Sequence, residues 1–197
     1  MVDHLQPFLA RGRDPDLVFV VEDEVELAES YAVILDDEHE VRIATTGEEG
    51  LEMVDHDVDV VLLDRRMPGM SGDEMLGKLV KRGITAKVAM LTAVEPEVDI
   101  IDLSFDDYIT KPVDNEELLA LVDVLLKRAT YDERSQEFFQ LAAKKATLET
   151  AGREQSAEYR ELTDRLHQLQ QEVDATLEEL STEKAFIDID PTRPPPG

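Results

Sequence analysis

The run Val58-Asp59-Val60-Val61-Leu62-Leu63-Asp64 constrains this chain more than any other stretch. From Val60 it is apolar at four successive positions. It then stops on a carboxylate, ahead of the turn-forming pair Pro68-Gly69. A strand with one face in water alternates apolar and polar residues. An unbroken apolar run suits a strand covered on both faces, as in a parallel sheet. Asp64 then lies at the carboxyl end of that strand. In open α/β sheets that edge is where ligands bind, so Asp64 is read as a nucleophile that accepts a phosphoryl group.

The flanking sequence repeats this grammar. Leu17-Val18-Phe19-Val20-Val21 is an earlier buried strand that ends on Glu22-Asp23-Glu24. A helix follows, with Val25, Ala28, Tyr31, Ala32, Ile34 and Leu35 near helical spacing. Val41–Ala44 is the second strand, and Thr46-Gly47-Glu48-Glu49 matches a capping box that opens a helix to about Asp55. After the Asp64 strand, a second capping box, Ser71-Gly72-Asp73-Glu74, starts a helix to about Arg82, stopped by Gly83. Ala86–Leu91 is a fourth strand, ending at Thr92-Ala93. A short helix is expected over 97–103. Asp107–Thr110 is a brief fifth strand, ending at Lys111-Pro112, and Asp114-Asn115-Glu116-Glu117 caps the next helix. Strand and helix thus alternate five times. Short right-handed crossovers then give an α/β, flavodoxin-like, doubly wound five-stranded parallel sheet with helices on both faces. The common small solution has the strand order 2-1-3-4-5, with its switch point between the first and third strands; this order is expected here partly on the family resemblance described below.

Neighbouring strands lie about 4.8 Å apart, so Glu22, Asp23 and Asp64 meet at one edge. Three carboxylates at that range repel and call for a cation. Magnesium suits them, because it takes oxygen ligands and usually combines one or two carboxylates with substrate phosphate. No histidine falls near these strand ends, which argues against zinc. Thr92 and Lys111 reach the same edge, where a hydroxyl and an ammonium would hold phosphoryl oxygens. Phosphoryl transfer needs mostly such positioning and charge stabilisation. Ala93 is small and leaves room for an incoming group. Arg65 and Arg66 either attract phosphate or are plain loop charges, and the sequence favours neither reading.

Composition narrows the alternatives. There is no cysteine, hence no disulfide and no thiol nucleophile. The balance of 46 acidic against 20 basic residues, a net charge of −26, repels nucleic acid and anionic membranes at ordinary salt. Such acid excess resembles proteins of salt-saturated cytoplasm, where the Debye length is about 3 Å or less. No apolar run approaches the roughly 18 residues of a membrane span, and no signal-peptide pattern is visible, so the expected location is cytoplasmic.

Residues from about 16 to 128 resemble the receiver domain of two-component response regulators. The motifs are Val-Val-Glu-Asp-Glu at 20–24, Leu-Asp-Arg-Arg-Met-Pro-Gly at 63–69, Leu-Thr-Ala at 91–93 and Tyr-Ile-Thr-Lys-Pro at 108–112. The resemblance implies that Asp64 is the phospho-acceptor, served by a sensor histidine kinase. It implies that Mg2+ is bound by Asp23 and Asp64, by Glu22 mainly through water, and by the backbone carbonyl of Arg66. Thr92 and Lys111 would contact the phosphoryl oxygens, Tyr108 would be the switch aromatic, and the Lys111–Pro112 bond would be cis. Two features depart from the family pattern. The acidic pair is Glu-Asp instead of Asp-Asp, and the Thr92–Lys111 segment is a few residues short.

From Thr130 strand patterns cease. Tyr131, Phe138, Leu141, Ala142 and Leu148 share a helical face. After Gly152, Tyr159, Leu162, Leu166, Leu169, Val173 and Leu180 follow a heptad spacing. Residues 129–187 resemble the HalX domain found after receivers in haloarchaea, on Tyr131-Asp132-Glu133-Arg134-Ser135 and Phe138-Phe139. The expected division is a lead-in over 1–15, a receiver over 16–128, a HalX-like helical domain over 129–187 and a disordered Pro-rich tail over 188–197. The helical part forms either a hairpin turning near Gly152 or a dimeric coiled coil. Its 8 basic and 15 acidic residues between 129 and 197 lack a basic stripe. That favours an output protein over DNA as partner; the alternative is a DNA-binding transcription regulator under the same switch. No enzyme beyond self-phosphorylation and slow autodephosphorylation is expected. A hydrolase using an aspartyl-phosphate would want an acid two residues after Asp64, where Arg66 stands.

Overall fold

Five parallel strands carry the amino-terminal half, and their order fixes which carboxylates meet. A computed structural model describes residues 15–93 and 104–187. The expected helix over 97–103, the Pro-rich tail and nearly all of the lead-in lie outside these residues. The chain divides into two compact units, one of residues 13–129 and one holding the described residues from Thr130 onward.

In the first unit the strands are β1 (Leu17–Val21), β2 (Glu40–Ala44), β3 (Val60–Asp64), β4 (Lys87–Thr92) and β5 (Asp107–Thr110). Their order is β2-β1-β3-β4-β5. Every residue of β1 and β3 is buried, as their unbroken apolar runs require. Just ahead of β3, the Asp59 carboxylate accepts the Leu17 amide at 2.8 Å and ties the start of β3 to that of β1.

Alternate residues of these strands build two cores. Phe19, Val21, Val61, Leu63 and Met90 pack with Leu51, Met75, Leu76 and Leu79, from α2 (Gly47–Met53) and α3 (Gly72–Arg82). Val18, Val20, Leu62 and Leu91 pack on the other face with Ala28, Tyr31, Leu35, Leu118, Val122 and Leu125. These last come from α1 (Val25–Leu35) and the start of α4 (Asn115–Thr150). Val25 and Val33 of α1 stay exposed.

The capping boxes form in altered ways. Thr46 Oγ1 and Ser71 Oγ accept the amides of Glu49 and Glu74. Glu49 reaches back one residue further than the motif implies, to the Thr45 amide at 2.8 Å, and Glu74 pairs instead with Lys78. Asp114 caps α4 by accepting the Glu117 amide.

The second unit is a helical hairpin. The later part of α4 runs without a break to Thr150, and α5 spans Ala157–Ile187. Gly152 turns the chain at φ 67°, a left-handed conformation that side chains resist. The two helices are joined across the turn: Arg165 grips the Glu137 carboxylate with two bonds of 3.1 and 3.0 Å, and Arg134 pairs with Glu172. Tyr159 donates its hydroxyl to Glu149. The hairpin reading of the heptads is thus realised within one chain, with Leu169 fully buried. No described helix is long and apolar enough to cross a membrane.

Candidate functional site

The carboxyl ends of β1, β3, β4 and β5 form one edge. Val21 pairs with Leu63, Asp64 with Leu91 and Thr92 with Thr110. The registers set Glu22 and Asp23 just beyond β1, beside Asp64. Oxygens of Glu22, Asp23 and Asp64 lie within 4.8 Å of one another. Glu22 is fully buried and Asp64 is 5% exposed, whereas Asp23 is half-buried and faces the opening.

Lys111 enters from the far side, after β5. Its Nζ donates to Glu22 Oε2 at 2.5 Å and to Asp64 Oδ1 at 2.8 Å. Lys111 N also donates to the Thr92 carbonyl at 2.7 Å, and the Lys111–Pro112 peptide is cis. The other carboxylate oxygen, Asp64 Oδ2, accepts the Arg66 amide at 3.1 Å. Burial pushes the Glu22 carboxyl above its ordinary range, and the Lys111 hydrogen bond pulls it only partly back. Burial would lower the Lys111 ammonium, but its bonds to Asp64 and then Glu22 outweigh this and leave it raised. Three carboxylates facing one ammonium leave an excess of negative charge in a largely buried space. An all-oxygen donor set of this kind fits a hard divalent cation such as Mg2+.

Thr92 is fully buried at the end of β4. Tyr108 is half-buried on β5, its ring 5.7 Å from that of Phe105, and it packs on the α2–α3 side of the sheet. Arg66 is exposed. Sequence reasoning missed three contributors. Arg65 is not a solvated loop charge: it is 6% exposed and chelates Asp73 on α3. Gly72 starts α3 so close to Asp64 that a Cβ would sit 2.3 Å from the Asp64 carbonyl oxygen. Tyr31 of α1 lies within the electrostatic reach of Lys111, Glu22 and Asp64, and burial raises its phenol. The glycine inside a capping box was the one available signal; the ion pair and the phenol had none. A cavity of about 500 Å³ opens beside the cluster, lined in part by Asp23, Arg66, Met67 and Ser71.

The sheet order and this edge are those of a response-regulator receiver. Residues 18–123 match the response regulator receiver domain family and residues 127–190 match the HalX domain; the chain belongs to the response regulators that join the two. A Haloferax volcanii protein named as a candidate transcriptional regulator is 42% identical over 149 residues, covering 75% of this chain and 26% of that protein. The sensory transduction protein RegX3 of Mycobacterium tuberculosis is 38% identical over 121 residues, 59% of this chain and 53% of its own length. The chain therefore spans about a quarter of the first relative and about half of the second. Among solved structures, a CheY-like receiver domain from Methanospirillum hungatei superposes with a TM-score of 0.54 at 29% identity, over 58% of this chain and 95% of that one. Receiver domains generally bind Mg2+ at an acidic cluster, and Glu22, Asp23 and Asp64 form such a cluster here.

Proposed function

We propose that this chain is the phospho-accepting partner in a two-component relay. Asp64 attacks the phosphorus of a phosphohistidine on the kinase. The P–N bond breaks, an aspartyl-phosphate forms, and the imidazole leaves with a proton from solvent. The observation that carries this reading is the single ammonium of Lys111 bonded at once to Glu22 and Asp64. Such a cation is placed to meet the oxygens of an incoming phosphoryl group. Mg2+ would be held by Asp23, Asp64, the Arg66 carbonyl and, mainly through water, Glu22; when bound it supplies the positive charge that spreads over the transferring group. Thr92 holds a phosphoryl oxygen.

An aspartyl-phosphate carries a charge of about −1.5 to −2 where the carboxylate carried about −1. Thr92 moves toward it, Tyr108 takes the vacated space, and the surface around β5 repacks. The receiver occupies 16–128, and the HalX-like hairpin at 129–187 passes the state to a protein partner in the cytoplasm. The chain turns over no substrate of its own. The test is labelling of the full chain by a small acyl phosphate. Wild type should incorporate one phosphoryl group in Mg2+, and Asp64→Asn or chelator should abolish it. Folded wild-type protein that stays unlabelled overturns the reading.

The relative named as a candidate transcriptional regulator favours a second output, DNA. Retention on duplex DNA that depends on phosphorylation and falls with salt would select it; capture of a protein partner by the phosphorylated form, lost in Asp64→Asn, would select the first.

A further inference from the structure

We propose that Arg65 and Asp73 form a positioning clamp that orients the Arg66 peptide toward both the acceptor carboxylate and the metal; this rests on the phospho-acceptor reading above.

The residue after Asp64 is an arginine whose side chain is only 7% exposed. Its Nε lies 3.1 and 3.2 Å from the two Asp73 oxygens, and Nη2 lies 3.2 Å from Oδ2. Asp73 stands in the first turn of α3, where a carboxylate is already favoured by the helix dipole. The backbone of Arg65 is tied on both sides as well: its amide donates to the Leu91 carbonyl and its carbonyl accepts the Gly72 amide, both at 3.0 Å. Arg65 is thereby pinned to β4 through its amide and to α3 through its carbonyl and side chain.

The next peptide is the functional one. The Arg66 amide holds Asp64 Oδ2 at 3.1 Å, and its carbonyl is the proposed metal ligand. The Arg66 side chain is exposed and makes no hydrogen bond or ion pair among the described residues, so the direction of its peptide depends on its neighbours. Burying an arginine costs several kcal/mol of desolvation, and a well-packed apolar residue often stabilises a fold as well or better. A loop that needed only stability would not call for an ion pair here. Two-point, planar chelation fixes an orientation, which an apolar side chain does not. Groups that orient metal ligands from outside typically contribute 10- to 100-fold to metal affinity.

The experiment uses the full chain as wild type, Asp73→Asn, Arg65→Met and the double variant. Calorimetry gives the Mg2+ affinity, NMR gives exchange of the Arg66 amide in metal-free protein, and urea midpoints are taken alongside. Each single change should weaken Mg2+ binding about tenfold and speed Arg66 amide exchange. The double variant should be no worse than the poorer single one, because both remove the same contact. Unchanged affinity and exchange with a lowered urea midpoint would make the pair a structural brace and overturn the proposal, as would losses that multiply in the double variant. If wild type binds no Mg2+, the metal reading fails by itself; amide exchange in Asp73→Asn then decides the clamp, faster supporting it and unchanged overturning it. Should Arg65→Met fail to fold, the near-isosteric Asp73→Asn carries the same comparisons.

Discussion

Replacing Lys111 by methionine removes the cation from a pocket built around it while keeping the length and apolar stem of the side chain. Glu22 and Asp64 are then left as neighbouring carboxylates at 0% and 5% exposure. Breaking one partner out of a buried ion pair costs about 3–5 kcal/mol. The lower figure applies here, because Asp23 and the adjoining cavity admit water. A loss of about 3 kcal/mol lowers the melting temperature by roughly 10 °C in a domain of this size. The loss should depend on pH. Without Lys111, burial and Asp64 both push the Glu22 carboxyl further up, so lowering the pH protonates it and restores stability. Mg2+ should also restore stability, since it replaces the missing charge. The assay is urea unfolding of wild type and Lys111→Met at pH 7 in chelator, at pH 5 in chelator, and at pH 7 with Mg2+. A variant within about 0.5 kcal/mol of wild type at pH 7 in chelator would refute the reasoning, since surface-type ion pairs contribute only that much. A deficit identical in all three conditions would also refute it, because lost packing responds to neither protons nor metal.

Three further outcomes are expected. In metal-free protein Glu22 is raised above its ordinary 4.5, so the folded chain takes up its proton before the unfolded chain does. Its contribution to stability therefore improves as pH falls toward 4.5 and worsens above, so the stability of wild type relative to Glu22→Gln should rise on acidification by at most about 1.4 kcal/mol per pH unit; a flat difference between pH 4.5 and 7 in urea unfolding would contradict this. Gly72→Ala forces a methyl onto the Asp64 carbonyl, and circular-dichroism melts should show a loss of at least about 2 kcal/mol, with slowed acyl-phosphate labelling. Arg165→Met removes the two-point bond to Glu137 in the half-exposed hairpin. It should cost about 1 kcal/mol at low salt and less in 1 M KCl, measured by hydrogen exchange in α5.

Much of the first unit was legible because its determinants are local. An unbroken apolar run reads as a two-sided strand wherever it sits, and Leu17–Val21 and Val60–Asp64 became the two fully buried strands. The choice of hairpin over paired chains was not legible in the heptads, because Leu162, Leu166 and Leu169 offer the same apolar seam to either neighbour. The Arg165–Glu137 and Arg134–Glu172 contacts across the Gly152 turn supply the partner within the chain.

At the acidic edge the division is sharper. The residue order alone placed Glu22, Asp23, Asp64, Thr92 and Lys111 at or just beyond strand ends: Asp64 and Thr92 close apolar runs, Glu22 and Asp23 follow one, and Lys111 follows the brief β5 segment. Only the tertiary structure decided that Lys111 bridges Glu22 and Asp64, residues 89 and 47 positions away, and that Arg65 turns inward to Asp73. Those contacts depend on register between strands and on which side chain wins a shared partner. Such choices are set by distances of a few ångströms across the sheet, and no periodicity along the chain encodes them.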